Sequence, residues 1–158
     1  MTGDAPTHEQ LVPFVEAAGR VADHGSLKPW RLIEIRGDAR QKIGKAFAKS
    51  GSSADKPLRA SLLIAVVAIH RPSSKAPEWE QDAVASGVAH LLSLLLDEAG
   101  WGVFWRTGDV TRAKKVAKAH KLAKNEKLMG WLYVGGVPER TKSGKPGKLN
   151  LEKHLSSL

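Results

Sequence analysis

The chain has 158 residues, a formal charge of +9 and no cysteine. Its length suits one domain able to bury a real core, and the missing thiols exclude disulfides, cysteine-ligated metal or iron–sulfur centres and thiol nucleophiles. An excess of lysine and arginine attracts anions in general, from nucleotides and phosphates to nucleic acid.

The first residues, Met1-Thr2-Gly3-Asp4, show no basic and apolar leader pattern. The longest apolar run, Leu62 to Ile69, is far shorter than the roughly 20 residues a membrane helix needs. Both features predict a soluble, cytoplasmic protein. Thr7 and Gln10 have the spacing of a capping box, and Leu11, Phe14, Val15 and Ala18 follow at helical intervals. Pro13 falls beyond the first turn, which predicts a kink or a later helix start. Trp30 to Arg36 alternates as a strand does, with Trp30 and Leu32 on one face and Arg31, Ile33 and Ile35 on the other. Asp38 and Gln41 suggest a second capping box, ahead of a helix with Ile43, Ala46 and Phe47 inward.

Leu62 to Ile69 reads as a strand covered on both faces, at the centre of a sheet. Glu78 to Ala99 is the strongest helix, with Val84, Val88, Leu91, Leu92 and Leu95 on one face. Leu94, Leu96, Ala85 and Ala89 make much of the remainder apolar too, so a dimer interface is expected there. Val103 to Trp105 predicts a short strand, Arg112 to Lys121 a basic amphipathic helix, and Gly130 to Gly135 a final strand. From about residue 139 a polar tail follows, with Lys142, Lys145 and Lys148. The order of elements predicts an α+β fold: a single domain, residues 1–158, with one sheet and helices on both sides.

The familiar catalytic signatures are absent: no dinucleotide glycine motif, P-loop, nucleophile elbow or paired zinc histidines. The six histidines are scattered, so no metal site is expected. His90, inside an apolar helix, reads as a core or interface histidine. Glu78 and Glu80 read as acids complementing a helix start. Two clusters sit at element boundaries, where side chains can converge on a ligand. Arg20 to Arg31 joins a helix end to a strand start and holds Arg20, His24, Lys28 and Arg31. Trp105-Arg106-Thr107-Gly108 closes a strand with an aromatic plane, a cation and a hydroxyl, a set suited to phosphate.

The order Arg20-Val21-Ala22-Asp23-His24 with Leu27-Lys28-Pro29-Trp30-Arg31 resembles the Arg-Ala-Pro-Asp-His…Pro-Trp element of the small bacterial FMN-dependent nitroreductases. Co-linear matches follow at Gly37 to Arg40, Pro57 to Ala60, Trp79 to Gln81, Gly100 to Gly108 and Gly130 to Gly135. The resemblance implies a nitroreductase-like, mainly antiparallel sheet and a homodimer with two FMN sites at the subunit interface. It also implies NAD(P)H as co-substrate and nitroaromatic, quinone or similar acceptors. Arg20, His24, Trp105, Arg106 and Thr107 fall on cofactor-binding positions, and no side chain is singled out as a catalytic nucleophile.

The family also carries an N-terminal Arg-Arg-Ser type motif, and no arginine precedes Thr7 here. That motivates a second reading: a shortened nitroreductase-fold protein without flavin turnover that binds flavin or another ligand. A third, nucleic-acid binding, rests on the charge and the basic segment Arg112 to Lys124. It lacks a recognised motif and aromatic residues interleaved with the lysines, so nucleic acid is not an expected partner.

Overall fold

The computed structural model describes residues 1–139 and 147–157. Helix α1, His8–Ala18, starts where the capping box predicts. Thr7 Oγ1 accepts from the Gln10 backbone N–H at 3.3 Å, and Gln10 Oε1 accepts from the Thr7 backbone N–H at 2.8 Å. Pro13 lies inside α1, which begins ahead of the proline rather than after it. Strand β1 is Trp30–Ile35 and helix α2 is Asp38–Ala48. The second capping box does not form: Gly37 caps α2 at φ 49°, and Asp38 becomes its first helical residue. There its carboxylate can only complement the helix dipole.

Strand β2, Leu62–Ile69, and helix α3, Glu78–Glu98, match their predicted spans closely. Strand β3 is Trp101–Arg106, and the basic segment splits into a 3₁₀ turn, Asp109–Arg112, and a short helix α4, Lys114–Ala119. Strand β4, Glu126–Gly136, starts well before Gly130. The sheet runs β1-β2-β4-β3, with every neighbouring pair antiparallel. Pairing of β2 with β4 slips between Val66 and Val67, leaving Met129 as an extra residue, a β-bulge beside Gly130. The tail stretch 140–146, with Lys142 and Lys145, lies outside the described residues. Residues 147–157 are exposed, with one 3₁₀ turn at Leu151–Lys153.

Alternation along the two central strands divides the core. Leu62, Ile64 and Val66 of β2, with Leu132 and Val134 of β4, meet Leu11 of α1 and Val88, Leu92 and Leu96 of α3. Leu63, Ala65 and Val67, with Trp131 and Tyr133, meet Ile43 and Phe47 of α2 and Val116 of α4. This explains why β2 is apolar throughout: both of its faces are covered. In α3, Val84, Ala85, Val88, Ala89, Leu92 and Leu96 point inward, while Leu91 and Leu94 remain 38% and 65% exposed. Of the predicted face, Val84, Val88 and Leu92 are buried and Leu95 packs partly buried against the core, while Leu91 turns outward.

Trp131 and His120 lock α4 to β4. His120 Nδ1 donates to the Val116 carbonyl oxygen at 2.8 Å, and its Nε2 accepts from Trp131 Nε1 at 2.9 Å. Both nitrogens are thus committed to one neutral tautomer, and burial pushes the pKa of His120 below its ordinary value. The unfolded chain has the higher pKa, near 6.5, and takes up a proton first as pH falls. This contribution is therefore complete above about pH 6.5 and is lost as pH falls through the lower folded value. Urea midpoints followed from about pH 7 to about pH 5 should decline in the parent and decline less in His120→Gln. Equal declines in the two proteins would remove His120 as the cause.

Candidate functional site

The link from α1 to β1 is a tight, unusual turn. Asp23 closes it twice: its carbonyl accepts from Ser26 N–H at 3.0 Å and its Oδ2 from Lys28 N–H at 2.7 Å. Gly25, Ser26 and Lys28 all adopt positive φ, at 78°, 52° and 45°. Two of these are not glycine, and such backbone is uncommon and concentrates at functional sites. The turn lies against the first half of α3. His24 Nδ1 sits 3.1 Å from Glu80 Oε2. Val21 packs on Gly87, where a Cβ would come within 2.7 Å of Val21 Cγ2. A cavity of about 270 Å³ opens between turn and helix, lined by Asp23, His24, Glu80, Gln81 and Val84 among others. Arg20, two residues ahead of the lining residue Ala22, is exposed and joins no ion pair among the described residues.

Arg31 does not share this site. It reaches across β2 to Glu126, Nε to Oε1 at 2.6 Å and Nη2 to Oε2 at 2.8 Å. The forked bond holds the Glu126 carboxyl below, and the Arg31 guanidinium above, its usual pKa. Arg31 thus fastens β1 to the start of β4 and drops out of the expected Arg20 to Arg31 cluster.

The second cluster ends β3, the opposite edge strand. Trp105 faces α3, where the His90 ring meets it edge-on at 4.9 Å. His90 is exposed, so it is no core histidine. Trp105 Nε1 is buried with no hydrogen-bond partner among the described residues, a costly state for an indole N–H. Strand alternation sends Arg106 to the other face, where its guanidinium lies 5.0 Å from the Phe104 ring centre and 5.3 Å from that of Tyr133. Thr107 is exposed just past the strand. The aromatic plane and the guanidinium that seemed adjacent in sequence therefore sit on opposite sides of the sheet. Gly130 brings this strand end close. A Cβ there would strike the Arg106 carbonyl oxygen and come within 2.7 Å of Trp105 Nε1.

Helix α3 is the element common to both clusters: Glu80 meets His24 and His90 meets Trp105, about 15 Å apart along the axis. Its start is anchored by a network that sequence reasoning missed. His70 Nε2 lies 2.9 Å from Asp82 Oδ1, His70 Nδ1 lies 3.4 Å from Glu78 Oε2, and Lys127 pairs with the other Asp82 oxygen. Burial alone would raise the pKa of Asp82, but hydrogen bonds from Lys127 and His70 outweigh it and hold the carboxyl below its usual value. Glu78 and Glu80 thus have histidine partners as well as a helix dipole to complement. The only signal for this in sequence is the spacing of Glu78 and Asp82, one helical turn apart. Among the described residues, no three histidine or acidic side chains are arranged to hold a metal ion, and no helix is long and apolar enough to cross a membrane.

An all-antiparallel sheet between two pairs of helices, with its candidate site ranged along the longest helix, defines an α+β protein of the nitroreductase type. The chain belongs to the nitroreductase family, whose model matches residues 2–136. It is 33% identical over 142 residues to the Escherichia coli (strain K12) protein named "Putative NAD(P)H nitroreductase YdjA", covering 83% of this chain and 78% of that one. Among solved structures it resembles a nitroreductase-like family protein from Bacillus cereus, with TM-score 0.83, 19% identity, and coverage of 100% of this chain and 88% of the other. It also resembles the FMN and NADPH-dependent nitroreductase NfnB from sphigopyxis sp. strain HMH, with TM-score 0.74, 16% identity, and coverage of 98% and 92%. These structural likenesses confirm the expected fold.

Proposed function

We propose that the protein is an FMN-dependent oxidoreductase that uses NAD(P)H to reduce nitroaromatic, quinone or similar acceptors. Family membership and the nitroreductase names of its relatives support the oxidoreductase class. The single observation that carries the flavin is the placement of both clusters against α3, with an exposed Arg20 guanidinium that joins no ion pair among the described residues. That guanidinium suits a phosphate.

In this reading, Arg20, His24, Trp105, Arg106 and Thr107 form the cofactor site. Arg20 meets the phosphate, and His24, tied to Glu80, shapes the turn beside the ring. Trp105 offers its ring and Thr107 its hydroxyl at the end of β3, while Arg106, lodged over Phe104 and Tyr133, holds that strand end in place. FMN, when bound, supplies the two-electron chemistry; the chain's part is to bind, orient and exclude water. The two clusters lie at opposite edges of the sheet, and α3 exposes Leu91 and Leu94. A homodimer packed on α3 would cover those leucines, and we assign two cofactor sites to that interface.

The test is direct. Purified protein should turn yellow with FMN and oxidise NADH or NADPH when a quinone is added. Arg20→Ala should weaken FMN binding about tenfold or more, the loss of a charge-assisted bond of roughly 1.5–3 kcal/mol. Protein that stays colourless after incubation with FMN would refute the reading. Yellow protein without turnover would leave a flavin-binding protein that does not catalyse.

A further inference from the structure

The opposite face of the sheet carries a feature that the cofactor reading does not use. On α2 and its C-cap, Lys42, Lys45 and Lys49 recur at intervals of three and four, giving one exposed stripe about 10 Å long. On α4, Lys115 and Lys118 face it across a groove of about 390 Å³ that also touches Ala46 and Ala119. Lys115 Nζ donates to the Lys49 carbonyl oxygen at 2.9 Å, tying the two helices together. None of the five lysines joins an ion pair among the described residues. Nor does the sequence interleave acids with them: residues 39–54 and 110–125 contain no aspartate or glutamate. A merely solvated helix surface usually alternates the two signs, because like charges one turn apart repel.

We propose that this groove binds a linear chain of fused phosphates, an inorganic oligophosphate. Ammonium groups meet phosphate as point charges and need no bidentate fork. The groove offers no aromatic side chain on which a base could stack. Its chemistry therefore selects dense phosphate charge rather than a nucleic acid strand. The inference is independent of the flavin reading, since none of Arg20, His24, Trp105, Arg106 and Thr107 lines the groove.

Calorimetric titration of the full chain with sodium tripolyphosphate tests it. One saturable site per chain is expected. With three phosphates and the single-strand slope of about −0.7 per neutralised phosphate, affinity should fall roughly twentyfold between about 50 and about 200 mM salt. The double variant Lys45→Ala, Lys118→Ala should bind at least tenfold more weakly and with a shallower salt slope. Both positions are exposed, so the fold should be kept, as circular dichroism will check. The control Lys75→Ala, Lys153→Ala removes the same charge elsewhere and should bind as the parent does. The proposal is overturned if tripolyphosphate does not bind at low salt, or if both double variants weaken equally. It is also overturned if the groove variant binds normally, or if a short oligothymidylate binds more tightly than the phosphate chain.

Discussion

Trp131→Ala should lower the free energy of unfolding by about 3–5 kcal/mol, the usual cost of removing a buried indole or phenyl ring. Trp131 is 1% exposed on the central strand β4. Its ring meets Phe47 of α2 edge-on at 5.0 Å and lies 5.6 Å from His120. Truncation opens a cavity between α2, α4 and the sheet and strands His120 Nε2, which accepts its hydrogen bond from Trp131. Domains typically hold about 5–15 kcal/mol in total, so a large share of the stability is at stake. Urea unfolding reads the effect. Trp131→Phe separates the two causes: it keeps most of the packing but removes the donor, and should cost about 1–3 kcal/mol. Losses under about 1 kcal/mol for the alanine variant would mean that the site collapses freely and that this ring is no keystone.

The second large effect is expected at Gly130, whose φ of 141° is a conformation that L side chains rarely adopt. Gly130→Ala should cost about 1–3 kcal/mol in backbone strain alone. It should also push away the Arg106 carbonyl, which a new Cβ would strike, and with it Trp105 and Thr107. FMN titration followed by fluorescence should then show binding weakened about tenfold or more. Gly51→Ala is the matched control. It too has positive φ, 79°, but nothing lies within 4 Å of its Cβ position. That variant should lose some stability and bind FMN as the parent does. Unchanged FMN affinity in Gly130→Ala would detach the end of β3 from the cofactor site.

The legible parts of the fold were those governed by local pattern. The capping box at Thr7 and Gln10, the doubly buried strand from Leu62 to Ile69 and the long helix from Glu78 follow from capping chemistry and hydrophobic period. The illegible parts depend on partners distant in sequence. Asp38 could not be told from a cap, because the positive φ of Gly37 decides that position. The early residues of β4, from Glu126, are too polar to read as strand, and they pair because Ile69 and Ala68 stand opposite them. Leu91 is exposed because only the placement of β2 and β4 fixes which stripe of α3 turns inward.

The candidate site was half legible. Arg20, His24 and the Trp105 to Thr107 stretch could be picked out by resemblance and boundary position. That Arg31 is committed to Glu126 across a whole strand could not be read, nor that Arg106 and Trp105 face apart until β3 was known to extend through both. His70, Asp82 and Lys127 come from three separate elements, so no local spacing announces their network.

The strand order has a consequence for biosynthesis. The last strand, β4, is also an inner one, paired on both sides. Until residues 126–136 emerge, β3 has no strand to pair with and β2 has only β1, so a nascent chain shorter than this can assemble at most the antiparallel pair β1–β2 and its helices. Completing the sheet then requires closing the long loop between β2 and β4, the kind of non-local contact that slows folding. During that interval the apolar strand Leu62–Ile69 lacks one neighbour, which makes the ribosome-bound or freshly released chain the most aggregation-prone form of the protein.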